Sequence, residues 1–190
     1  MASAPPRADE GPAHRRVERR WWPTLAVLAV IVFVAGGSRA VGDALAGPAG
    51  PAVEVGGVTT VQPAPGWAVE ARSEQAGIVQ VLLRRGAAGL LISTSEGFGR
   101  PAEELREVYE GVLQGRFAHL TIGVPARDDA GRLAFGYVGV TSDGITVEGV
   151  AIAAVGPSGD AAVFDGFSPE GDLAAVVDDL RLMVGTAEVL

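Results

Sequence analysis

The sequence contains no cysteine, no lysine and only two histidines. Without cysteine the chain has no disulfide, no thiolate metal site, no Cys nucleophile and no lipidated Cys. All fifteen basic residues are arginine, which together with abundant Ala and Gly indicates a GC-rich genome. Because His14 lies in the N-terminal tail, a Ser-His-Asp triad would have to use His119, and no Gly-x-Ser-x-Gly elbow accompanies it. We therefore expect no catalytic residues, no metal site and no cofactor.

Charge is distributed unevenly along the chain. Residues 1–39 contain six arginines and three acids, a net charge of +3, whereas residues 40–190 contain nine arginines and twenty acids, a net charge of −11. An acidic body repels phosphate backbones, so we expect no nucleic-acid partner. The asymmetry is typical of a chain that crosses a membrane and leaves its basic end inside.

An uncharged run occupies residues 21–38. At about 1.5 Å per residue a helix of this length spans roughly 27 Å, close to a hydrocarbon core of about 30 Å. Trp21 and Trp22 stand where aromatic anchors meet the membrane interface. Four arginines precede the run and set the topology, namely Arg15, Arg16, Arg19 and Arg20. The sequence therefore predicts a single-pass signal anchor in the lipid bilayer, with a cytoplasmic N-terminus and an extracytoplasmic body.

A cleavable signal peptide is the alternative for this segment. Its apolar centre, residues 25–35, has the length of a signal-peptide h-region, and Ala44-Leu45-Ala46 offers a cleavage site. We favour the uncleaved anchor because the uncharged run is long and the cleavage site at Ala46 lies far beyond Ala35, where the apolar centre ends. The predicted organisation is a disordered basic cytoplasmic tail (1–20), a transmembrane helix (21–38), a Gly/Pro/Ala spacer (39–52) and an extracytoplasmic domain (53–190).

Hydrophobic periodicity predicts about seven strands and two helices in the domain. Leu82, Leu83, Leu90 and Leu91 place apolar groups on both faces of two strands, which favours central strands covered on both sides. Asp143-Gly144 marks a hairpin. One helix is predicted to begin at Pro101 and a second after Ser168, with Ser168 as N-cap and Pro169 as first helical residue. Strands are predicted at residues 58–62, 66–72, 77–84, 89–95, 133–142, 145–155 and 160–167, and residues 119–124 can form a further short strand. The fold class is thus α+β, an antiparallel sheet with two packed helices, preceded by one transmembrane helix.

The entry Pro63-Ala-Pro-Gly-Trp67, together with this order of elements, resembles the PsbP-like (Mog-type) α/β/α sandwich, as in small exported actinobacterial proteins. The resemblance covers residues 58–184. It implies a fold and a bias towards accessory or binding roles without a shared reaction, and it assigns no functional residue here.

Trp67 is the candidate for a ligand-binding aromatic residue. Its alternation with Val69 and Ala71 favours a buried ring that opens the first long strand, and the alternative is an exposed aromatic that stacks on a sugar.

The loop Gly97-Phe-Gly99 before the first helix could hold an anion, but an ordinary strand-to-helix turn is favoured. The acidic pairs Asp128-Asp129 and Asp178-Asp179 are interpreted as solvated side chains rather than ligands of calcium.

The expected function is a membrane-anchored protein whose exported domain is a non-catalytic binding or accessory module in the bacterial cell envelope, with an envelope protein as partner. Two alternatives remain open at this point. One is a cell-envelope hydrolase with an unrecognised Ser or Asp/Glu site, and the other is a structural subunit of a membrane complex.

Overall fold

The computed structural model describes residues 50–128 and 130–190. The predicted tail, the predicted transmembrane segment with Trp21 and Trp22, the four topology-setting arginines and most of the spacer lie outside these residues. Within the described ranges no helix is both long enough and apolar enough to cross a bilayer.

A large antiparallel sheet of eight strands forms the centre of the domain. The strands are β3 (Ala68–Gln75), β4 (Ile78–Arg85), β5 (Ala88–Ser95), β6 (His119–Ile122), β7 (Ala126–Arg127), β8 (Leu133–Val140), β9 (Thr146–Val155) and β10 (Ala161–Pro169). Their order in the sheet is β3-β4-β5-β10-β9-β8-β6, and β7 also pairs with β8. Three short strands, β1 (Val53–Val55), β2 (Thr59–Val61) and β11 (Glu188–Val189), make a second small sheet.

One helix packs on each face of the large sheet. Helix α1 (Ala102–Arg116) lies between β5 and β6 in sequence, and helix α2 (Val177–Gly185) follows a 3₁₀ turn at Leu173–Ala175. Pro101 precedes α1, and Glu103 and Glu104 occupy its first turn, where carboxylates favour the helix dipole. The sheet is therefore sandwiched between two helical layers.

Each face of the sheet has its own apolar core, because alternate residues of a strand point to opposite faces. The α1 side buries Leu82, Leu91, Leu105, Leu113, Phe117, Phe135 and Phe167, among others. The α2 side, which also carries the small sheet, buries Trp67, Leu83, Leu90, Phe164, Leu180 and Met183, among others. The predicted central strands are confirmed, since Leu82, Leu83, Leu90 and Leu91 are at most 3% exposed.

The predicted α+β class and the hairpin at Asp143-Gly144 are confirmed: β8 and β9 pair from Val140 opposite Thr146. The number of strands was underestimated, because the described residues contain eleven. β1, β7 and β11 span only two or three residues each, too few for a period of two to be visible in the sequence.

The predicted shared face of Trp67, Val69 and Ala71 was wrong. A register shift between Val69 and Ala71 places Val69 opposite Leu83 and Ala71 opposite Leu82. Leu83 and Leu82 point to opposite faces, so Ala71 packs on the α1 side while Trp67 packs on the α2 side. The physical reason is a β-bulge at Glu70, which inserts one residue and reverses the alternation after it.

The predicted start of the last helix was also wrong. Ser168 and Pro169 belong to β10, where they pair with Glu148 and Val147 of β9, and the Ser168 hydroxyl donates to the Pro169 carbonyl. Helix α2 begins only at Val177. Pro169 is the last strand residue, a position at which a missing N–H is tolerated, so a Ser-Pro pair that resembles a cap here ends a strand instead.

Candidate functional site

A buried carboxylate lies at the centre of the large sheet, under helix α1. The side chain of Asp165 in β10 is 0% exposed. Its Oδ2 accepts hydrogen bonds from the Tyr109 hydroxyl at 2.7 Å and from the Arg116 guanidinium at 3.2 Å, and its Oδ1 accepts one from the Tyr137 hydroxyl at 2.8 Å. We call these four residues the Asp165 network. Both carboxylate oxygens are thus engaged by protein donors.

The local sequence explains why these four side chains meet. Asp165 alternates with Val163 and Phe167 on the α1 face of β10. Tyr109 and Arg116 are seven residues apart on α1, about two helical turns, so they lie on the same face of the helix. Tyr137 reaches the same carboxylate from β8, with β9 between the two strands. The network therefore ties one helix to two strands of the sheet.

Burial dominates the electrostatics of the network. Desolvation raises the pKa of Asp165 above its ordinary value, while the Arg116 charge and the three hydrogen bonds oppose that rise. Burial also raises the pKa of Tyr109 and of Tyr137 well above the usual tyrosine value, and the neighbouring Asp165 charge adds to this. Both phenols are therefore held as hydrogen-bond donors at neutral pH.

A pair of arginines flanks the ring of Phe167 at the border of this network. The guanidinium carbons of Arg116 and Arg84 lie 4.7 Å and 5.4 Å from the centre of the ring. Side-chain exposure is 12% for Arg116 and 17% for Arg84. Glu70, at the bulge in β3, approaches Arg84 Nε to 3.0 Å. We call Arg84 and Arg116 the arginine pair.

Glycines make room for the aromatic rings of this region. Phe167 lies opposite Gly89 of β5 on one side and opposite Gly149 of β9 on the other. Gly149 in turn lies opposite Tyr137 of β8. A Cβ on Gly89 would lie 2.6 Å from the tip of the Phe167 ring, and one on Gly149 would lie 2.5 Å from the Tyr137 hydroxyl oxygen. The rings therefore lie over glycines of the neighbouring strands, and this places the Tyr137 hydroxyl within reach of Asp165.

Trp67 is a core residue, as the sequence favoured. It is 4% exposed and packs in the α2-side core, and its Nε1 donates to Asp179 Oδ2 at 3.1 Å. Arg85 forms an ion pair with the same carboxylate oxygen. This burial leaves no ring face for a sugar to stack on, so it supports the core interpretation over a ligand aromatic. The interpretation of Asp179 as a solvated acid was wrong, because its side chain is 26% exposed and joins Trp67 to Arg85.

The other sequence candidates are scattered over the surface. Asp178 is solvated as predicted, with a side chain that is 92% exposed. The interpretation of Asp128 as a solvated acid was wrong, because its side chain is 23% exposed and forms an ion pair with Arg132 at 2.7 Å. Asp129 lies outside the described residues. His119 begins β6, as predicted, and is exposed. Across residues 50–128 and 130–190 no three His, Asp or Glu side chains converge as metal ligands would.

The loop before α1 is closed by the protein itself. Asp160 Oδ1 accepts from the Gly97 N–H at 2.7 Å, and the Gly99 N–H donates to the Gly159 carbonyl at 2.9 Å. The hydrogen bond from the Gly97 N–H, and a second one from the Ser158 hydroxyl, lower the pKa of the exposed Asp160 carboxyl. The donors that an external anion would need at Gly97 and Gly99 are thus already used, which favours the ordinary strand-to-helix turn.

Sequence reasoning missed the Asp165 network. By spacing alone Tyr109 belongs to an apolar stripe of α1, and Asp165 is one residue of the strand predicted at 160–167. One signal was available: Asp165 is the only charged residue of β10, whose other members are apolar or small. A charge at such a position must be paired when it is buried. The identity of its partners could not be deduced, because they come from elements 28 to 56 residues away.

Comparison with solved structures finds the fold group that the sequence resemblance named. The chain is similar to the solution structure of cyanobacterial PsbP (CyanoP) from Synechocystis sp. PCC 6803, with 13% identity, 81% of this chain and 99% of that chain covered, and a TM-score of 0.49. It is also similar to a point mutant of the protein Mog1, with 12% identity, 73% and 95% coverage and a TM-score of 0.47. Both have the PsbP-like, Mog-type fold that the sequence resembles. At these identities and TM-scores the likeness transfers no function.

No protein-family model matches the chain, and no curated protein matches it.

Proposed function

We propose that the chain is a single-pass membrane-anchored protein whose exported domain is a non-catalytic binding or accessory module in the bacterial cell envelope. The observation that carries the proposal is the order of charge along the chain. Four arginines stand before the uncharged run at residues 21–38, and an acidic body follows it. This order favours an anchor with the arginines on the cytoplasmic side.

The burial of Asp165 argues against acid–base chemistry at this residue. Asp165 is completely buried, and its two oxygens accept from Tyr109, Tyr137 and Arg116. A general base must reach a proton on the substrate directly or through one water. Asp165 has no such access, and we assign it the structural task of holding α1 on the sheet.

Reporter fusions test the topology. An enzyme reporter active only outside the cytoplasm, joined after Leu190, should be active, and the same reporter joined after Arg20 should be inactive. Replacing Arg15, Arg16, Arg19 and Arg20 together by glutamine should shift part of the population to the opposite orientation. A cytoplasmic signal from the Leu190 fusion in the unaltered chain would contradict the proposal.

An intact-mass measurement tests whether the anchor is cleaved, and crosslinking tests whether the domain has an envelope partner. An uncleaved anchor predicts a mature protein that retains residues 1–46, and loss of that mass would favour the signal peptide. Crosslinking in native membranes, with the full chain as bait, should then capture an envelope partner through residues 53–190. A partner retained by residues 1–52 alone would favour a structural subunit of a membrane complex.

A further inference from the structure

We propose that the arginine pair, Arg84 and Arg116, forms with Phe167 a receptor for the carboxylate of a ligand that has an apolar body, and that Glu70 occupies this receptor when the ligand is absent. The inference rests on the proposed binding role of the domain and names the ligand class for it. Four features of the α1 face carry it.

The first feature is the close approach of two like charges. Both guanidinium groups stack on one Phe167 ring, at 4.7 Å and 5.4 Å from its centre, and both side chains are more than four-fifths buried. Burial lowers the pKa of Arg84, and the neighbouring Arg116 charge lowers it further. Holding two such cations on one ring is unfavourable unless anions offset them. The protein supplies two, Asp165 and Glu70.

The second feature is the number of donors that remain unused. A guanidinium carries five N–H donors in a planar fork. Within the described residues, Arg116 places one hydrogen bond, to Asp165, and its buried Nε has no acceptor. Arg84 donates to the Ala87 carbonyl at 3.1 Å, and its Nε lies 3.0 Å from Glu70 but out of hydrogen-bond alignment. Buried donors are normally satisfied, so these two covered and unmet Nε donors point to a further acceptor, which would reach them once Glu70 moves aside.

The third feature is the contrast between the two anions. Asp165 is fully buried and bound by two tyrosines, so it cannot leave Arg116. Glu70 lies on a bulge of β3, an edge strand of the large sheet, and its side chain is 31% exposed. Within the described residues Glu70 forms one ion pair, with Arg84, and a partly exposed pair of this kind contributes little to stability. Glu70 can therefore yield its place on Arg84 to another carboxylate.

The fourth feature is an apolar flank beside the pair. Val112 and Val108 precede Arg116 by four and eight residues on α1, a spacing that aligns side chains along one flank of a helix. Val108 is 41% exposed, and Val112 is partly buried against the α1-side core. A planar carboxylate matches the guanidinium fork, and an apolar tail can lie along these valines. This combination favours an amphipathic carboxylate over a simple inorganic anion.

Arginine side-chain NMR tests the proposal on the full chain in an uncharged detergent. Titration with sodium acetate at constant ionic strength should shift the Nε–Hε signals of Arg84 and Arg116 saturably, and sodium butanoate should bind several-fold more tightly because its longer chain covers more of the flank. Glu70→Gln should lower the dissociation constant about five-fold, because it removes one competing ion pair. Arg84→Gln should abolish saturation.

Matched variants keep the test decisive. Arg72→Gln is the control, since Arg72 lies on β3 but is exposed and donates to the Glu54 carbonyl on the opposite face. It should leave the titration unchanged. Arg84→Lys keeps the charge and loses the fork, and it should weaken binding even if Arg84→Gln fails to fold.

Three outcomes would overturn the inference: no saturable shift, equal affinity in the wild type and Glu70→Gln, or tighter binding of phosphate than of acetate. None of these outcomes bears on the proposed membrane topology, which the reporter fusions test separately.

Discussion

Replacing Asp165 by asparagine should remove a large part of the domain's free energy of unfolding. The change keeps the volume of the side chain but removes its charge and turns one acceptor oxygen into an NH₂ donor. Tyr109, Tyr137 and Arg116 then converge on a group that can accept on one side only. Removing one partner of a buried ion pair typically costs about 3–5 kcal/mol, because the other charge stays buried and unpaired.

That cost is large for a domain of this size, since small domains are stable by roughly 5–15 kcal/mol. Urea unfolding, followed by tryptophan fluorescence and circular dichroism, measures it. Tyr109→Phe and Tyr137→Phe each remove one hydrogen bond to a charged acceptor and should each cost about 1.5–3 kcal/mol. The double variant should depart from additivity, because the two phenols bind the two oxygens of one carboxylate.

Asp178→Asn is the control for this series. Asp178 lies on α2 with its side chain 92% exposed, and its replacement should change stability by less than about 0.5 kcal/mol. If Asp165→Asn also lies within about 1 kcal/mol of the wild type, the assignment of Asp165 as the group that holds α1 on the sheet is refuted.

Three further predictions concern other parts of the domain. Trp67→Ala should cost about 3–5 kcal/mol in urea unfolding, because the indole is almost fully buried. Gly149→Ala should cost about 1–3 kcal/mol and disturb the Tyr137 hydroxyl, since the new Cβ overlaps that ring. Asp160 has a lowered pKa in the fold, so its contribution to stability is present above the ordinary carboxyl pKa of 3.8 and is lost as the pH falls through the lowered value. Asp160→Asn should therefore speed hydrogen exchange of the Gly97 amide near neutral pH and lose that difference in acid.

Each of these three predictions has a control or a result that would contradict it. Gly136→Ala is the control for Gly149→Ala, since the nearest atom to its Cβ is 3.8 Å away, an ordinary contact. A near-neutral Trp67→Ala would revive the ligand interpretation of that ring. Equal exchange of the Gly97 amide in the wild type and in Asp160→Asn near neutral pH would show that the carboxylate does not hold the loop.

Sequence patterns predicted the larger elements because those elements have strong local signals. Helix α1 was expected from Pro101, and it forms from Ala102 with Leu105, Tyr109 and Leu113 buried. The central strands were expected from paired leucines, which are apolar on both faces. Features that depend on distant partners could not be predicted from local sequence. The bulge at Glu70 adds one residue opposite β4, and nothing in the local sequence records it.

The sequence by itself determined the class of the fold, its central strands and the charge order that motivates a membrane anchor. These follow from hydrophobic period, turn chemistry and charge count, which are properties of neighbouring residues. The tertiary structure alone decided the Asp165 network and the arginine pair. Asp165 meets Tyr137 and Tyr109 across separations of 28 and 56 residues, and Arg84 and Arg116 reach the ring of Phe167 from β4 and from α1. Polar groups that must be satisfied in a buried sheet take whatever donors the fold brings to them, so their partners are fixed by topology rather than by sequence distance.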